Sequence, residues 1–311
     1  MKIELPEGLK ADLPQSPFGK ILSATPVVMT VVATALAGLA SSEMTSAQYD
    51  RSLAAQLQSK AGDQWNFFQG KKLRGALQHN TLDAIFSTSE VHPLERTTLG
   101  STLANTPAGT ALESPAGQQA LAVLIEGELP RVSTTPAPVV PTVHAALGAL
   151  EATRPDAELT ALIALVDDNV LESALRNAQA QVLALDAVIK PVAQVIDAIE
   201  KQLGHPGTAV TLRRDFTAAR LRYNALRYDA ESRLNQAIAS LYELQVRKEN
   251  LSADRHHRRS QKFFYGMLAA QMGVIISTLA MAARKRNLLW SLAAGAGAAA
   301  ISFAVYVYLY V

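Results

Sequence analysis

Two apolar runs decide the fold: FFYGMLAAQMGVIISTLAMAA (263–283) and LLWSLAAGAGAAAISFAVYVYLYV (288–311), separated only by RKRN (284–287). The runs contain 21 and 24 residues, and neither contains a charged side chain. The hydrocarbon core of a bilayer is about 30 Å thick, so about 20 helical residues cross it. The runs therefore predict two membrane-spanning helices joined by a short basic turn. The alternative is a helical hairpin buried in the core of a soluble protein.

A third apolar run extends from Ile21 to Ser42 and is interrupted only by Pro26. Because proline is tolerated in the first turns of a helix, this run also predicts a membrane span. A cleaved signal peptide is the alternative, since Ala35 and Ala37 provide the small residues of a cleavage site. The preceding polar tail (1–20) is long and not strongly basic, which favours an uncleaved anchor.

The composition narrows the class of protein. The chain has 311 residues, 49% of them hydrophobic and only 6% aromatic, which favours long helices over sheets. Its formal net charge is +2, and no basic stripe with interleaved aromatic residues lies outside the clusters flanking the spans. Nucleic acid is therefore not an expected partner. The absence of cysteine excludes disulfides, thiol nucleophiles and Cys-based metal sites.

The segments after the first span differ in character. Residues 43–86 carry apolar residues at intervals of three and four, which predicts that the first span continues as an extramembrane helix. These residues are Leu53, Leu57, Ala61, Trp65 and Phe68. Residues 87–154 are rich in Thr, Ser, Pro and Gly, so we expect an irregular, exposed insertion with short helices.

Residues 155–262 carry the strongest periodic signal, which begins after Pro155, a favourable first-turn residue. Apolar residues recur in alternating steps of four and three: Leu171, Leu175, Ala178, Val182, Leu185, Ile189, Val192, Ile196, Ile199 and Leu203. Gly204 suits a left-handed helix cap. A second series then recurs every seven residues: Phe216, Tyr223, Ala230, Ala237, Leu244 and Leu251. The short turn predicts an antiparallel coiled coil, in which Ala230 and Ala237 allow close approach.

These patterns predict an all-α fold with three transmembrane helices, one N-terminal and two in a C-terminal hairpin, and a long-helix, antiparallel coiled-coil extramembrane domain. The predicted segments are a tail (1–20), a span (21–42), a helix continuing from it (43–86), the insertion (87–154), the coiled-coil hairpin (155–262), a span (263–283), a basic turn (284–287) and a span (288–311).

Two stretches resemble one protein family. Asp63-Gln64-Trp65-Asn66-Phe67-Phe68-Gln69-Gly70-Lys71 is similar to a D-Q-W-x-x-[YF]-Q-x-K signature, with Phe67 and Phe68 in place of the usual tyrosine-containing pair. His256-His257-Arg258, followed by Gln271, Arg284-Lys285-Arg286 and Leu289-Trp290, is similar to the C-terminal hairpin of the same family. That family comprises uncharacterised bacterial inner-membrane proteins, catalogued as a domain of unknown function. The resemblance covers residues 20–75 and 245–311 and implies three spans around a helical domain, and it lends no enzymatic activity.

No pattern of catalytic or metal-binding residues stands out. The six histidines form no H-E-x-x-H arrangement, and neighbouring His256 and His257 point about 100° apart on a helix. Asp167, Asp168 and Glu172 are typical of a solvated helical face. We therefore expect no enzyme activity, metal or cofactor.

Two groups of residues near the spans suggest interactions. Small residues four apart allow close helix packing, either within one chain or between subunits. These are Gly266 and Ala270, Ala293 and Gly297, and Gly295 and Ala299. The basic residues beside the spans are expected to bind acidic lipid headgroups. They are Arg255, Arg258, Arg259, Lys262, Arg284, Lys285 and Arg286.

These features predict a membrane-anchored structural or scaffolding protein that forms homo-oligomers or braces a larger membrane complex. A pore-forming or transport-accessory subunit of an oligomeric ring is the alternative. The basic residues of the two short segments, the tail and the turn, favour a cytoplasmic location for both. We therefore expect residues 43–262 to lie in the periplasm, outside a bacterial inner membrane.

Overall fold

The computed structural model describes residues 17–130, 140–283 and 286–310, and these residues form nine helices and no strand. The predicted all-α fold is thus confirmed. In chain order the helices are α1 (Pro17–Thr88), α2 (Arg96–Leu103), α3 (Pro107–Glu113), α4 (Pro115–Glu126), α5 (Pro141–Glu151), α6 (Asp156–Ala164), α7 (Asp168–Leu203), α8 (Val210–Ala282) and α9 (Arg286–Tyr310).

Helices α1, α8 and α9 each contain a stretch long and apolar enough to cross a membrane. The chain is therefore a multi-pass membrane protein. Helix α1 begins at Pro17, within the predicted tail, and continues through Pro26 to Thr88 without a break. Most of the predicted tail (1–16) and two residues of the basic turn, Arg284 and Lys285, lie outside the described residues.

The coiled-coil hairpin begins at Asp168 rather than at Pro155. Pro155 precedes a separate short helix, α6. Asp167 then starts α7, because its side chain accepts hydrogen bonds from the backbone amides of Asn169 at 2.9 Å and Val170 at 3.4 Å. The predicted left-handed cap at Gly204 is also wrong, since Gly204 has a right-handed φ of −68°. The turn instead has its positive φ, 103°, at Gly207.

The chain divides into two compact units. The first combines Met1–Ala54 with Glu249–Val311 and contains the three apolar stretches; it is called the membrane unit below. The second, Ala55–Lys248, is called the extramembrane unit.

In the extramembrane unit, α7 and α8 run antiparallel. Leu203 at the end of α7 accepts a hydrogen bond from Arg213 near the start of α8, at 3.1 Å. At the other end of α7, Asp168 forms an ion pair of 2.5 Å with Lys248. Of the predicted α7 seam, Ala178 and Val182 are half-buried. The buried members are Leu171, Leu175, Leu185, Ile189, Val192, Ile196, Ile199 and Leu203, and α8 contributes Phe216, Tyr223 and Leu244.

The segment predicted to be an exposed insertion instead contributes to this core. Helices α2 to α4 pack Leu99, Leu103, Leu112, Leu121 and Leu124 against α7 and α8. Some polar residues and prolines of this segment start helices. Thr106 and Ser114 cap α3 and α4 by accepting hydrogen bonds from backbone amides, and each is followed by a first-turn proline.

Helices α1 and α8 meet through small residues, a feature that the sequence patterns did not predict. Buried alanines recur every seven residues along α1: Ala33, Ala40, Ala47, Ala54 and Ala61. On α8 the buried series is Ala225, Ser232, Ala239, Val246, Ala253 and Ser260. In the membrane unit, the Ser260 hydroxyl donates a hydrogen bond of 2.7 Å to the backbone oxygen of Ala40. This bond requires a close approach of the two helices.

Candidate functional site

The extramembrane unit has an open groove of about 740 Å³ between α5, α7 and α8, called the polar groove below. Helix α7 lines one wall with Asn169, Ser173, Asn177 and Gln181, which are four residues apart and therefore share one face. The remaining lining residues are Val140, Leu147, Glu151, Val170, Ala174, Ala178, Arg233, Gln236, Ala237, Ser240 and Leu241.

The polar groove exists because small side chains occupy facing positions of α7 and α8. Ala178 and Ala237 were both predicted seam residues, and Ala237 was expected to bring the helices together. Instead Ala237 is exposed and Ala178 is only half-buried, since neither side chain is long enough to fill the space between the helices. The coiled-coil seam is therefore interrupted at this point.

The lining is nearly neutral and combines a larger apolar surface with the row of polar side chains on α7. Its two charged residues, Glu151 and Arg233, have opposite signs. Asn177, Gln181 and Gln236 contribute side-chain amides, which donate and accept hydrogen bonds equally well. The spacing of the polar residues on α7 was the available signal for the groove, but the same spacing is typical of an ordinary solvated helical face.

A buried ion cluster attaches α1 to α8 within the extramembrane unit. The Glu231 side chain is only 6% exposed and forms ion pairs with Lys71 of α1 and with Arg227, whose Nε lies 2.6 Å from Glu231 Oε1. The Lys71 amine also lies 5.5 Å from the centre of the Tyr228 ring. A carboxylate in this position requires such partners, because an unpaired buried charge is strongly destabilising.

The surroundings of this cluster shift the pKa values of Arg227 and Tyr223. Burial lowers the pKa of Arg227, but the hydrogen bond and the negative charge of Glu231 outweigh burial, and the pKa is raised overall. Burial raises the pKa of the neighbouring Tyr223 to about 12, although the charge of Arg227 opposes this effect. At neutral pH the cluster therefore contains charged Arg227 beside a neutral tyrosine.

The structure brings part of the family-like signature into this interface. Trp65 Nε1 donates a hydrogen bond of 2.8 Å to Glu243 of α8, and Lys71 reaches Glu231. Asp63 and Gln69 are exposed, and Gln64 is half-buried. The signature therefore supplies α1 with two polar anchors to α8, rather than one continuous site.

The second part of the signature, His256-His257-Arg258, lies in the membrane unit, and its two histidines contact different residues. His256 Nδ1 lies 2.5 Å from Glu43 Oε2, and Arg259 lies 4.0 Å from the same carboxylate. His257 points elsewhere, with its Nε2 3.0 Å from the Gln261 amide nitrogen. Among the described residues, no group of three or more His, Asp or Glu side chains is arranged to hold a metal ion.

Four of the six predicted small packing residues lie inside the membrane unit. Gly266, Ala270, Ala293 and Gly297 are buried, whereas Gly295 and Ala299 are exposed. A side chain at Gly266 would lie 3.3 Å from the backbone oxygen of Ala300, so this glycine permits close packing of α8 and α9. Packing between subunits through Gly295 and Ala299 stays a prediction.

The predicted headgroup-binding residues have different surroundings. Arg255 and Arg258 are exposed, whereas Lys262 lies 4.4 Å from the centre of the Tyr306 ring and Arg259 faces Glu43. Arg284, Lys285 and the side chain of Arg286 lie outside the described residues.

Comparisons with protein families, curated proteins and solved structures found no match to this chain. The resemblance to the inner-membrane family therefore stays a prediction from the residues quoted above.

Proposed function

We propose that the protein is a non-enzymatic membrane scaffold whose copies associate through the polar groove. The groove is the observation that carries this proposal, because it interrupts an otherwise buried seam and presents a wide, open face beside two long helices. Association of such membrane anchors would brace a larger membrane complex.

The chemistry of the groove favours a second copy as its occupant. Two copies related by a twofold axis present the same patch to each other. A patch of one sign would repel its own copy, but Glu151 and Arg233 nearly cancel. Side-chain amides such as Asn177 and Gln236 can pair with identical amides, because each has both a donor and an acceptor.

We also propose a cellular location for the protein. The protein would belong to the family of bacterial inner-membrane proteins that its signature resembles, with the extramembrane unit in the periplasm. A reporter enzyme that is active only in the periplasm, fused after Gly204, is expected to be active. A silent reporter would reverse the orientation without affecting the proposed association.

Single cysteines provide the test of association, since the chain contains none of its own. Asn177→Cys and Ala237→Cys lie in the polar groove. Leu183→Cys is the matched control, because Leu183 is 71% exposed and lies about 120° away from Asn177 around α7. In native membranes, a short bismaleimide is expected to produce dimers from the two groove variants and little dimer from the control.

Two results would refute this proposal. The first is equal cross-linking of the groove and control variants, which would indicate random collisions. The second is a strictly monomeric protein in mild detergent by light scattering, with no dimer from either groove variant in membranes.

A further inference from the structure

A second cavity, of about 510 Å³, lies between α1 and α8 in the membrane unit. It is lined by Ala37, Ala40, Ser41, Met44, His257, Ser260, Gln261, Phe264, Tyr265 and Met267. His257 precedes the uncharged run by six residues, or about 9 Å along a helix, which corresponds to the headgroup layer of a bilayer. Phe264 and Met267 lie inside the run. The cavity is therefore polar at headgroup level and apolar where the hydrocarbon begins.

The apolar end continues deeper along the same two helices. A neighbouring cavity of about 480 Å³ shares Ala37 and is lined by Thr30, Ala33, Thr34, Gln271, Val274 and Ile275. The hydroxyls of Thr30 and Thr34 donate hydrogen bonds to α1 itself, at 2.8 and 2.9 Å, so they are already satisfied. Helix α9 packs near Gly266, which lines neither cavity. The two cavities adjoin at Ala37 and together are called the channel below.

The polar end has unused hydrogen-bonding capacity and positive charge. Among the described residues, the buried Nδ1 atom of His257 has no hydrogen-bond partner. Arg258 is exposed and lies three residues before Gln261, on the same side of α8. Of the residues that the structure describes, none that lines the cavity carries a carboxylate. Two acids on the same helices are paired with other residues: Glu43 with His256 and Arg259, and Asp254 with Arg51.

We propose that this channel binds one anionic glycerophospholipid. Its phosphate would accept hydrogen bonds at His257, Gln261 and Arg258, since imidazole, amide and guanidinium groups all donate to phosphate oxygens. One acyl chain would extend past Ala37 between the helices. The proposal depends on the amphipathic match between channel and lipid, and it is independent of association through the polar groove.

The test uses the full-length protein exchanged into detergent, with phosphatidylglycerol and phosphatidylcholine as probes and native mass spectrometry as the readout. The wild-type chain is expected to retain one phosphatidylglycerol in preference to phosphatidylcholine. Ala37→Phe would fill the channel and abolish this retention. Ala35→Phe is the matched control, because Ala35 is exposed on another side of α1 and its replacement should leave retention unchanged.

A second pair of variants tests the headgroup contact and does not alter packing. Arg258→Ala is expected to weaken phosphatidylglycerol binding about fivefold, the factor that corresponds to one cation beside an anionic headgroup. Arg255→Ala removes the same charge from an exposed position away from the channel and should have much less effect.

Several results would overturn the proposal. The first is that the wild-type chain retains no lipid. The second is that the Ala37→Phe and Ala35→Phe variants retain equal amounts of phosphatidylglycerol. The third is that the chain binds the two lipids equally and that the two arginine variants change this binding equally. A disulfide between two copies through Ala37→Cys in native membranes would show that a second copy, rather than lipid, occupies the channel. Circular dichroism shows whether the Ala37→Phe variant folds. If that variant does not fold, the Arg258→Ala and Arg255→Ala variants still test the proposal.

Discussion

In the extramembrane unit, the side chains packed between α7 and α8 are large. Ile196, Ile199, Phe216 and Leu244 are almost completely buried. In the membrane unit, small side chains predominate at the buried positions of α8 and α9. Five positions there are almost completely buried and small: Ala270, Ser277, Ala280, Ala293 and Ala300. Larger side chains on the same helices are exposed, among them Met272, Leu279, Leu292 and Ile301.

The difference between the α7–α8 seam and these spans reflects the solvent that surrounds each. Water drives large apolar side chains to the inside, because their burial removes the most apolar surface from water. Lipid does not drive large apolar side chains to the inside, since a leucine side chain is solvated as well by acyl chains as by protein. Helices in lipid are held by close backbone approach, which small residues permit.

Polar groups differ between the units in the same way. The extramembrane unit buries a charged cluster around Glu231, whose cations lie partly in contact with water. The membrane unit buries hydroxyls that bond to helix backbone, as Ser260 does to Ala40 and Ser277 to Val274 at 2.9 Å. Hydroxyls satisfied by backbone oxygen are compatible with lipid, whereas a buried charge would be far more costly there.

The largest expected effect concerns the ion cluster of the extramembrane unit. Glu231→Gln would leave Lys71 and Arg227 without their counter-charge and should lower the free energy of unfolding by about 3 to 5 kcal/mol. Glu172→Gln is the control, because Glu172 pairs with Arg176 on the surface, 2.9 Å away, and should cost about 0.5 kcal/mol or less. Urea denaturation followed by circular dichroism in detergent measures both. Equal effects would contradict a structural role for the cluster.

The second prediction compares one substitution in both units. Ile196→Ala removes a buried side chain from the extramembrane core and should lower stability by about 3 kcal/mol. Ile301→Ala, at a side chain exposed on α9, should have almost no effect in detergent or lipid. The chain has two tryptophans, Trp65 in the extramembrane unit and Trp290 in the membrane unit. In variants that keep only one tryptophan, with the other replaced by phenylalanine, its fluorescence measures the unfolding of one unit. A similar loss of stability in the Ile196→Ala and Ile301→Ala variants would show that the two units do not differ in this respect.

The smallest expected effect distinguishes buried from exposed alanines within the membrane unit. Ala293→Leu adds bulk at a fully buried position of α9 and should destabilise the packing of the spans by about 2 kcal/mol. Ala299→Leu, at an exposed position on the same helix, should be tolerated. Thermal unfolding followed by Trp290 fluorescence distinguishes them. If Ala299→Leu were the more harmful, a contact between subunits at Gly295 and Ala299 would account for it better than packing within the chain.

Sequence patterns predicted some of these features and missed others for physical reasons. The α7 seam was predictable because large apolar residues such as Leu171, Ile189 and Ile199 at heptad spacing are characteristic of coiled-coil packing. The seam of Ala40, Ala47 and Ala54 was missed because alanine fits any helical position and is frequent throughout the chain. Its meaning depends on what lies opposite, which only the structure supplies.

The candidate sites were harder to predict than the helices. The polar groove depends on the placement of α5 beside Ala178 and Ala237, and a short helix preceded by prolines gives no indication of where it packs. Lys71 was singled out by the family-like signature, but its partner Glu231 lies 160 residues away in the chain. Ion pairs across such separations leave no periodic signal.

Lipid, rather than water, is expected to surround the large exposed side chains of the membrane unit. Single cysteines along α8, treated with a water-soluble maleimide in membrane fragments that expose both faces of the bilayer, test this expectation. We expect rapid labelling at Asn250 and Arg255, and protection at Leu268, Met272 and Leu279, although all five positions are exposed in the structure. Rapid labelling at those last three positions would show that water covers them, and the assignment of this membrane span would then be wrong.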